Sequence, residues 1–195
     1  MPDKKYFVHP NALVESDDIG KDTRVWAFAH VLKGVRIGED CNLCDYVFVE
    51  SGVTIGNRVT IKNGISVWTG ITIEDDVFLG PNCVLTNDLY PRSKGYSEHV
   101  TTLIKQGATV GANATIICGN TLGRYSMVGA GAVVTKDVPD FALVIGNPAK
   151  FMHWVGKTGE KLNFNSDNTA SDSKGNKYTL NKNEIDSAKN SVTEN

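Results

Sequence analysis

Few side chains in this 195-residue chain are suited to chemistry, and they are unevenly spread. His9, His30, His99 and His153 are the groups whose ordinary titration falls near neutral pH. They are too sparse to read as a metal cluster on facing strands, so no metal is expected. Cys41 and Cys44 form a CxxC with no second pair, and packing is a better reading of them than zinc or redox chemistry. Asn87 stands between Thr86 and Asp88. Its amide oxygen can accept a hydrogen bond and orient the donor, but a neutral amide does not titrate usefully near pH 7 and is no base. Arg92 and Lys94 follow closely, two cations suited to a diphosphate or a carboxylate. Glu50 offers an acceptor, and Trp68 a flat apolar face.

The elements that must position these residues are written in a period of six. Leu13, Ile19, Val25, Val31, Ile37, Leu43, Val49, Ile55, Ile61, Val67, Ile73, Leu79 and Leu85 are aliphatics, each six positions after the last. Four residues after each aliphatic, from Ile19 onward, comes a small, β-branched or thiol residue, from Thr23 and Ala29 to Val77 and Cys83. The next position after the aliphatic is often glycine, as at Gly20, Gly38, Gly56 and Gly80, which suits corners with φ > 0. The pattern breaks near Thr86 and resumes at Ile104, Val110, Ile116, Leu122, Val128 and Val134. Six matches neither the 3.6-residue helix nor the heptad. It matches short strands turned by corners, three to a coil of 18 residues, with coils stacked about 4.8 Å apart around an aliphatic column. The expected fold class is all-β, a parallel β-helix with one projecting loop and a short C-terminal appendage.

Residues 18 apart then stack. Leu32, Glu50, Trp68 and Thr86 form one column, and His30, Phe48, Ser66 and Val84 another. Gly34, Gly52 and Gly70 line the corner at which the repeat breaks, with Asp88 next in line. Trp68 and Asn87 are expected about 5 Å apart along the axis, and His30 about 14 Å below Val84. The stretch 86–103, with Tyr90, Pro91, Arg92, Ser93, Lys94, Gly95 and Tyr96, reads as the projecting loop, and a loop of this length in a compact repeat is usually functional.

The formal net charge of −2 gives no basic field for nucleic acid. No apolar run approaches the roughly 20 residues of a membrane helix, and no signal peptide is evident, so a reducing cytoplasm is the default expectation. Residues 1–155 read as the β-helix domain. Residues 156–195 read as a polar tail, mostly mobile, in which Lys161–Phe164 and Lys177–Leu180 could pair as a small hairpin.

The chain resembles the left-handed β-helix acyltransferases over residues 8 to 155. Within them it is similar to the N-acetyltransferases that modify the 3-amino group of nucleotide-linked sugars. The stretches that carry the likeness are RVWAFAHV (Arg24 to Val31), EDDVFLGPNCVLTND (Glu74 to Asp88), PRSK (Pro91 to Lys94), KQGATVGANATI (Lys105 to Ile116), VGAGAVVTKDVP (Val128 to Pro139) and GNPAK (Gly146 to Lys150). The left hand is implied by the resemblance alone. So are acetyl-CoA as co-substrate, a homotrimer with sites between subunits, and a place in surface polysaccharide synthesis such as O-antigen. The TND…PRSK stretch points to dTDP-3-amino-3,6-dideoxyhexoses, with UDP-3-amino sugar uronates close behind.

Acetyl transfer from a thioester to an amine needs the amine held near the carbonyl, a proton removed, and donors for the oxyanion. Asn87 is the first candidate beside the amine, with His30 from a neighbouring subunit and His99 from the loop as alternatives. The departing thiolate could finally take the proton, which makes a dedicated protein base less necessary. Glu50, Trp68, Asp88, Arg92 and Lys94 are the candidates for the nucleotide sugar. The amides of Gly111, Ala112, Gly129 and Ala130, with Lys136 and Lys150 for phosphates, are the candidates for the coenzyme. O-acetylation of a small acceptor and a non-catalytic β-helix scaffold are the competing readings.

Overall fold

The computed structural model describes residues 5–95, 99–182 and 190–195. Its strands, most of them two residues long, lie on three faces. Parallel strands climb the first face from Phe7–Val8 through Arg24–Val25, Asn42–Leu43, Thr60–Ile61, Phe78–Leu79, Thr109–Val110 and Met127–Val128 to Ala142–Ile145. The antiparallel strand Lys150–Trp154 closes that sheet. The second face holds Leu13–Val14, His30–Val31, Phe48–Val49 and Ser66–Val67, then a separate sheet of Val84–Leu85, Thr115–Ile116 and Val133–Val134. The third face holds Asp18–Ile19, Arg36–Ile37, Thr54–Ile55, Ile71–Ile73, Thr102–Ile104 and Thr121–Leu122. This is the stacked parallel β-helix that the period of six implies.

Both repeating sets point inward. The aliphatics from Val25 to Leu85 and from Ile104 to Val134 are buried, and so are the partners four residues on, from Thr23 to Cys83. Each coil thus buries two apolar side chains per strand while its backbone bonds to the coils above and below.

The first coil departs from the period. Leu13 pairs with His30 and Val14 with Val31, an offset of 17. Val14 therefore packs on the core, and Leu13 is left 55% exposed. The corner is one residue shorter because buried Ser16 closes it: its hydroxyl donates to the Val35 carbonyl at 2.6 Å and accepts the Asp18 amide at 3.1 Å.

The glycines that follow the inward aliphatics also need correcting. Among the described residues positive φ falls elsewhere, on Gly34 and Gly52 and on Phe28 and Tyr46. Gly20, Gly38, Gly56 and Gly80 are small for another reason: a Cβ there would strike the backbone of the next coil. At Gly38 it would sit 2.6 Å from the Gly56 carbonyl oxygen. These glycines permit close stacking rather than an unusual φ.

The loop is inserted into one coil. Thr72 pairs with Thr54, 18 residues back, and with Leu103, 31 residues on, so the loop adds thirteen residues. Tyr96, expected in this loop, lies outside the described residues.

The tail is more ordered than its composition suggests. Lys177–Asn181 pairs with Thr169–Ser171 and Ser191–Glu194 in an antiparallel sheet, not with residues 161–164. Its core is Phe141, Leu162, Ala170, Tyr178 and Val192, too widely scattered to give a sequence period. The fully buried Tyr178 hydroxyl donates to Asp172 Oδ2 at 2.8 Å and accepts the Lys157 amide at 2.9 Å. Tyr178→Phe is expected to cost about 1–3 kcal/mol, because it leaves the Lys157 amide without its acceptor and removes one of the two donors to Asp172 Oδ2, the other being Asn176 Nδ2 at 2.8 Å; thermal unfolding measures the loss. Burial raises the Asp172 carboxyl, but hydrogen bonds from Asn176, Tyr178 and the Asn176 and Lys174 amides outweigh it and hold the group below the usual carboxylate range. Its stabilising share is present above that range and is lost as pH falls through the lowered folded value.

Candidate functional site

The site is built at the corner between the second and third faces, where the repeat breaks. Glu50, Trp68 and Thr86 follow strands of the second face on successive coils, and the loop leaves just beyond Thr86. Glu50 Oε2 accepts the Thr69 amide at 2.8 Å, and the Thr69 hydroxyl donates to the Ser51 carbonyl at 2.9 Å. One coil on, Asn87 Nδ2 donates to the Thr69 carbonyl at 3.2 Å. This matches the expected stacking of Asn87 beside Trp68. Trp68 itself is half-buried against the core and tilts onto Phe48, with ring centroids 5.6 Å apart, so it is less exposed than the sequence implies.

His99 returns from the loop to Asn87, its Nδ1 lying 3.1 Å from Asn87 Nδ2. A carbonyl can only accept, so the bond to Thr69 fixes which end of the Asn87 amide is the donor. His99 Nδ1 must then accept, and the proton of the neutral ring sits on Nε2. The Val100 amide donates to the Asn87 carbonyl at 3.0 Å and the Thr102 amide to the Gly70 carbonyl at 3.0 Å, so backbone bonds pin the end of the loop beneath the histidine. Asn87 Oδ1 accepts no hydrogen bond among the described residues.

His30 is placed elsewhere. It lies on the second face under Phe48, 5.6 Å between ring centroids, and pairs with Glu15 Oε1 at 3.0 Å. The coils of Phe48 and Ser66 separate it from that of Val84. Within one chain it does not join Asn87. In the loop, Asp88 Oδ1 accepts the Tyr90 amide at 2.9 Å, and Arg92 donates to the Pro91 carbonyl at 2.8 Å. Asp88 thus shapes the turn, while Arg92 and Lys94 are exposed.

The coenzyme candidates divide. The Gly111 amide donates to the Val128 carbonyl and the Gly129 amide to the Val144 carbonyl, each at 2.8 Å. These two are spent on coil stacking and cannot serve an oxyanion, which corrects the expectation. The amides of Ala112 and Ala130 make no hydrogen bond among the described residues. Both sit at the corner between the first and second faces, a different edge of the prism from Asn87. Lys136 lies on the Asn87 edge, two coils further along through Cys118, and lines a cavity of about 380 Å³ with Val134, Pro139, Phe151 and Trp154. Lys150 is exposed at the start of the closing strand and pairs with Ile145. Thr69 was not among the sequence candidates; its place 18 residues before Asn87 is the signal that could have found it.

A hexad-built prism with a polar corner at its single long insertion defines a class. A family described as the hexapeptide repeat of succinyl-transferase matches residues 34–68, 70–86 and 103–136, leaving out the loop. The chain belongs to the hexapeptide-repeat acyltransferases. Among its relatives is the dTDP-3-amino-3,6-dideoxy-alpha-D-galactopyranose 3-N-acetyltransferase of Aneurinibacillus thermoaerophilus, 54% identical over 159 residues that span 81% of this chain and 83% of that protein. Among solved structures, the acetyltransferase domain of PglB from Neisseria gonorrhoeae, in complex with acetyl coenzyme A, matches with a TM-score of 0.53 at 25% identity. That match covers 76% of this chain and 58% of the other. A mutant of AntD, an N-acyltransferase from Bacillus cereus in complex with dTDP and coenzyme A, shares the fold, with a TM-score of 0.50 at 14% identity over 80% of this chain and 84% of the other.

Proposed function

We propose that this chain is an acetyl-CoA-dependent N-acetyltransferase acting on the 3-amino group of a dTDP-linked 3-amino-3,6-dideoxyhexose, in the synthesis of surface polysaccharide. The observation that carries the reading is the 54% identity to an enzyme named for that reaction, which extends over most of both chains. The site's chemistry supports it. Asn87 offers a fixed amide oxygen that accepts no hydrogen bond among the described residues, at the corner where the loop carrying Arg92 and Lys94 leaves the coils, and an amine can be held there by one of its own N–H groups. Acetyl-CoA supplies the acyl thioester. The amides of Ala112 and Ala130, unbonded among the described residues, and the cavity beside Lys136 are the groups of this chain that fit it.

The working unit is a homotrimer. Ala112 and Ala130 stand on one edge of the prism and Asn87 on another, so a neighbouring subunit is the simplest way to bring both edges to one substrate. Sedimentation is expected to give three times the 21.1 kDa chain mass, and a monomer at micromolar concentration counts against the arrangement. Use of acetyl-CoA and four free cysteines support work in the reducing cytoplasm.

The test is turnover of acetyl-CoA against dTDP- and UDP-linked 3-amino and 4-amino sugars. The dTDP-linked 3-amino-3,6-dideoxyhexose is expected to exceed the others in kcat/KM by about a hundredfold or more. A preference for UDP-linked uronates overturns the nucleotide assignment. A product that hydroxylamine cleaves is an ester, and it would move the reading to O-acetylation.

A further inference from the structure

The second face has a break at the level of the site. Below it, the amides of His30, Leu32, Phe48 and Glu50 each donate to the next coil at 2.8 to 3.0 Å. Above it, the amides of Val84 and Thr86 do the same at 2.8 and 3.2 Å. Between them, Ser66–Val67 and Val84–Leu85 belong to separate sheets. Among the described residues, the amides of Ser66 and Trp68 form no bond to the next coil. The coil that presents Asn87 is therefore not fastened to the one beneath it by the backbone ladder of this face. Side chains do that work at the corner. Glu50 holds the Thr69 amide, and the Thr69 carbonyl holds Asn87.

We infer that Glu50 is a positioning residue, acting through the backbone of Thr69 to fix the Asn87 amide. The inference rests on the reading of Asn87 as the residue beside the acceptor amine. One oxygen of the Glu50 carboxylate is committed to Thr69. Thr69 is held at both its amide and its carbonyl, with the Thr69 hydroxyl to Ser51 as a third tie. Its carbonyl is the group that decides which way the Asn87 amide faces. Releasing the Thr69 amide lets that carbonyl swing, and Asn87 Oδ1 loses its fixed aim. Glu50 need not touch the sugar for its loss to slow the reaction.

The experiment uses the full chain with Glu50→Ala, Glu50→Gln, Glu50→Asp and Asn87→Ala, and the Glu50→Ala/Asn87→Ala double variant. Glu50→Ala is expected to lower kcat about tenfold to thirtyfold, with KM for the nucleotide sugar within about twofold. Glu50→Gln keeps an oxygen that can accept the Thr69 amide and is expected to recover most of the loss. The double variant should be no slower than Asn87→Ala alone, because the two residues act in series. A raised KM at unchanged kcat, or a Glu50→Ala loss that multiplies in the Asn87→Ala background, overturns the inference and makes Glu50 a direct sugar ligand. If Glu50→Ala fails to fold, Glu50→Asp takes its place, since a carboxylate one methylene shorter withdraws from Thr69 and should lose the same activity. A crystal structure of the Glu50→Ala chain reads the positioning without turnover. Asn87 Nδ2 parted from the Thr69 carbonyl supports it, and an undisturbed Asn87 overturns it. Wild-type chain inactive on every sugar of the panel would defeat the proposed function, and the crystal structure would still decide the role of Glu50.

Discussion

Replacing Asn87 with alanine is expected to lower kcat about a hundredfold, with KM for acetyl-CoA within about twofold. The size follows from what the side chain does. Its Nδ2 is tied to the Thr69 carbonyl at 3.2 Å and to His99 Nδ1 at 3.1 Å, which leaves Oδ1 as a rigid acceptor. An amine nitrogen that gives one N–H to this oxygen presents its lone pair in a set direction, and misplacing the nitrogen by about 1 Å is enough for a hundredfold loss. Asn87→Asp is expected to be no better than alanine: it keeps oxygens but loses both donor bonds. Steady-state kinetics with each substrate varied in turn decides the matter, and an unchanged kcat would mean that the amine sits elsewhere.

The same geometry gives the histidines small parts. With Nδ1 accepting from Asn87, neutral His99 carries its proton on Nε2 and has no free lone pair to take another. His99→Ala is therefore expected to cost about threefold to tenfold, by loosening Asn87, and the rising limb of the pH–rate profile should stay where it is. His30, held by Glu15 on a lower coil, should cost about twofold or less when replaced. A loss of several orders at either histidine, with binding intact, would identify a protein base and remove the view that none is needed.

How much of this was legible in the sequence depends on how each feature is encoded. The prism was, because one side-chain size must recur at each sixth position to fill a common core, and Val25 to Leu85 obey without exception. The stacking of Asn87 on Thr69 was, because it is arithmetic on an 18-residue coil. The bond between Asn87 and His99 was not: the sequence of the eleven residues between them has no period, and only the end points of the stretch are set by the coils. Leu13 misled because the pattern of types cannot tell Leu13 from Val14, and a single buried hydroxyl, Ser16, decides between them. The tail misled because its core residues are scattered from Phe141 to Val192. Gly111 and Gly129 looked like free donors because a sequence gives residue types and not the carbonyls that claim their amides.

The glycines carry the largest expected change in stability, and they separate two reasons for having no side chain. Gly34 has φ of +81° and nothing within 4 Å of where a Cβ would be. Gly38, four residues on, lacks a positive φ, but its Cβ would lie 2.6 Å from the Gly56 carbonyl oxygen and 2.7 Å from its carbon. Gly34→Ala has only the left-handed backbone to bear, about 1 kcal/mol. Gly38→Ala must push apart two coils that share a closed backbone ladder, in which the Gly38 amide donates to the Ile55 carbonyl at 2.9 Å. Backbone cannot rotate out of the way as a side chain can, so the cost is expected near the top of the overpacking range, about 3 kcal/mol. For a chain of this length that lowers Tm by roughly 6–12 °C, against roughly 2–4 °C for Gly34→Ala. Calorimetry on the two variants compares them directly. Equal losses would show that conformation, not coil spacing, selects glycine at both positions. The larger loss at Gly38 would show that the period of six is held in register by what the coils leave no room for, as well as by what they bury.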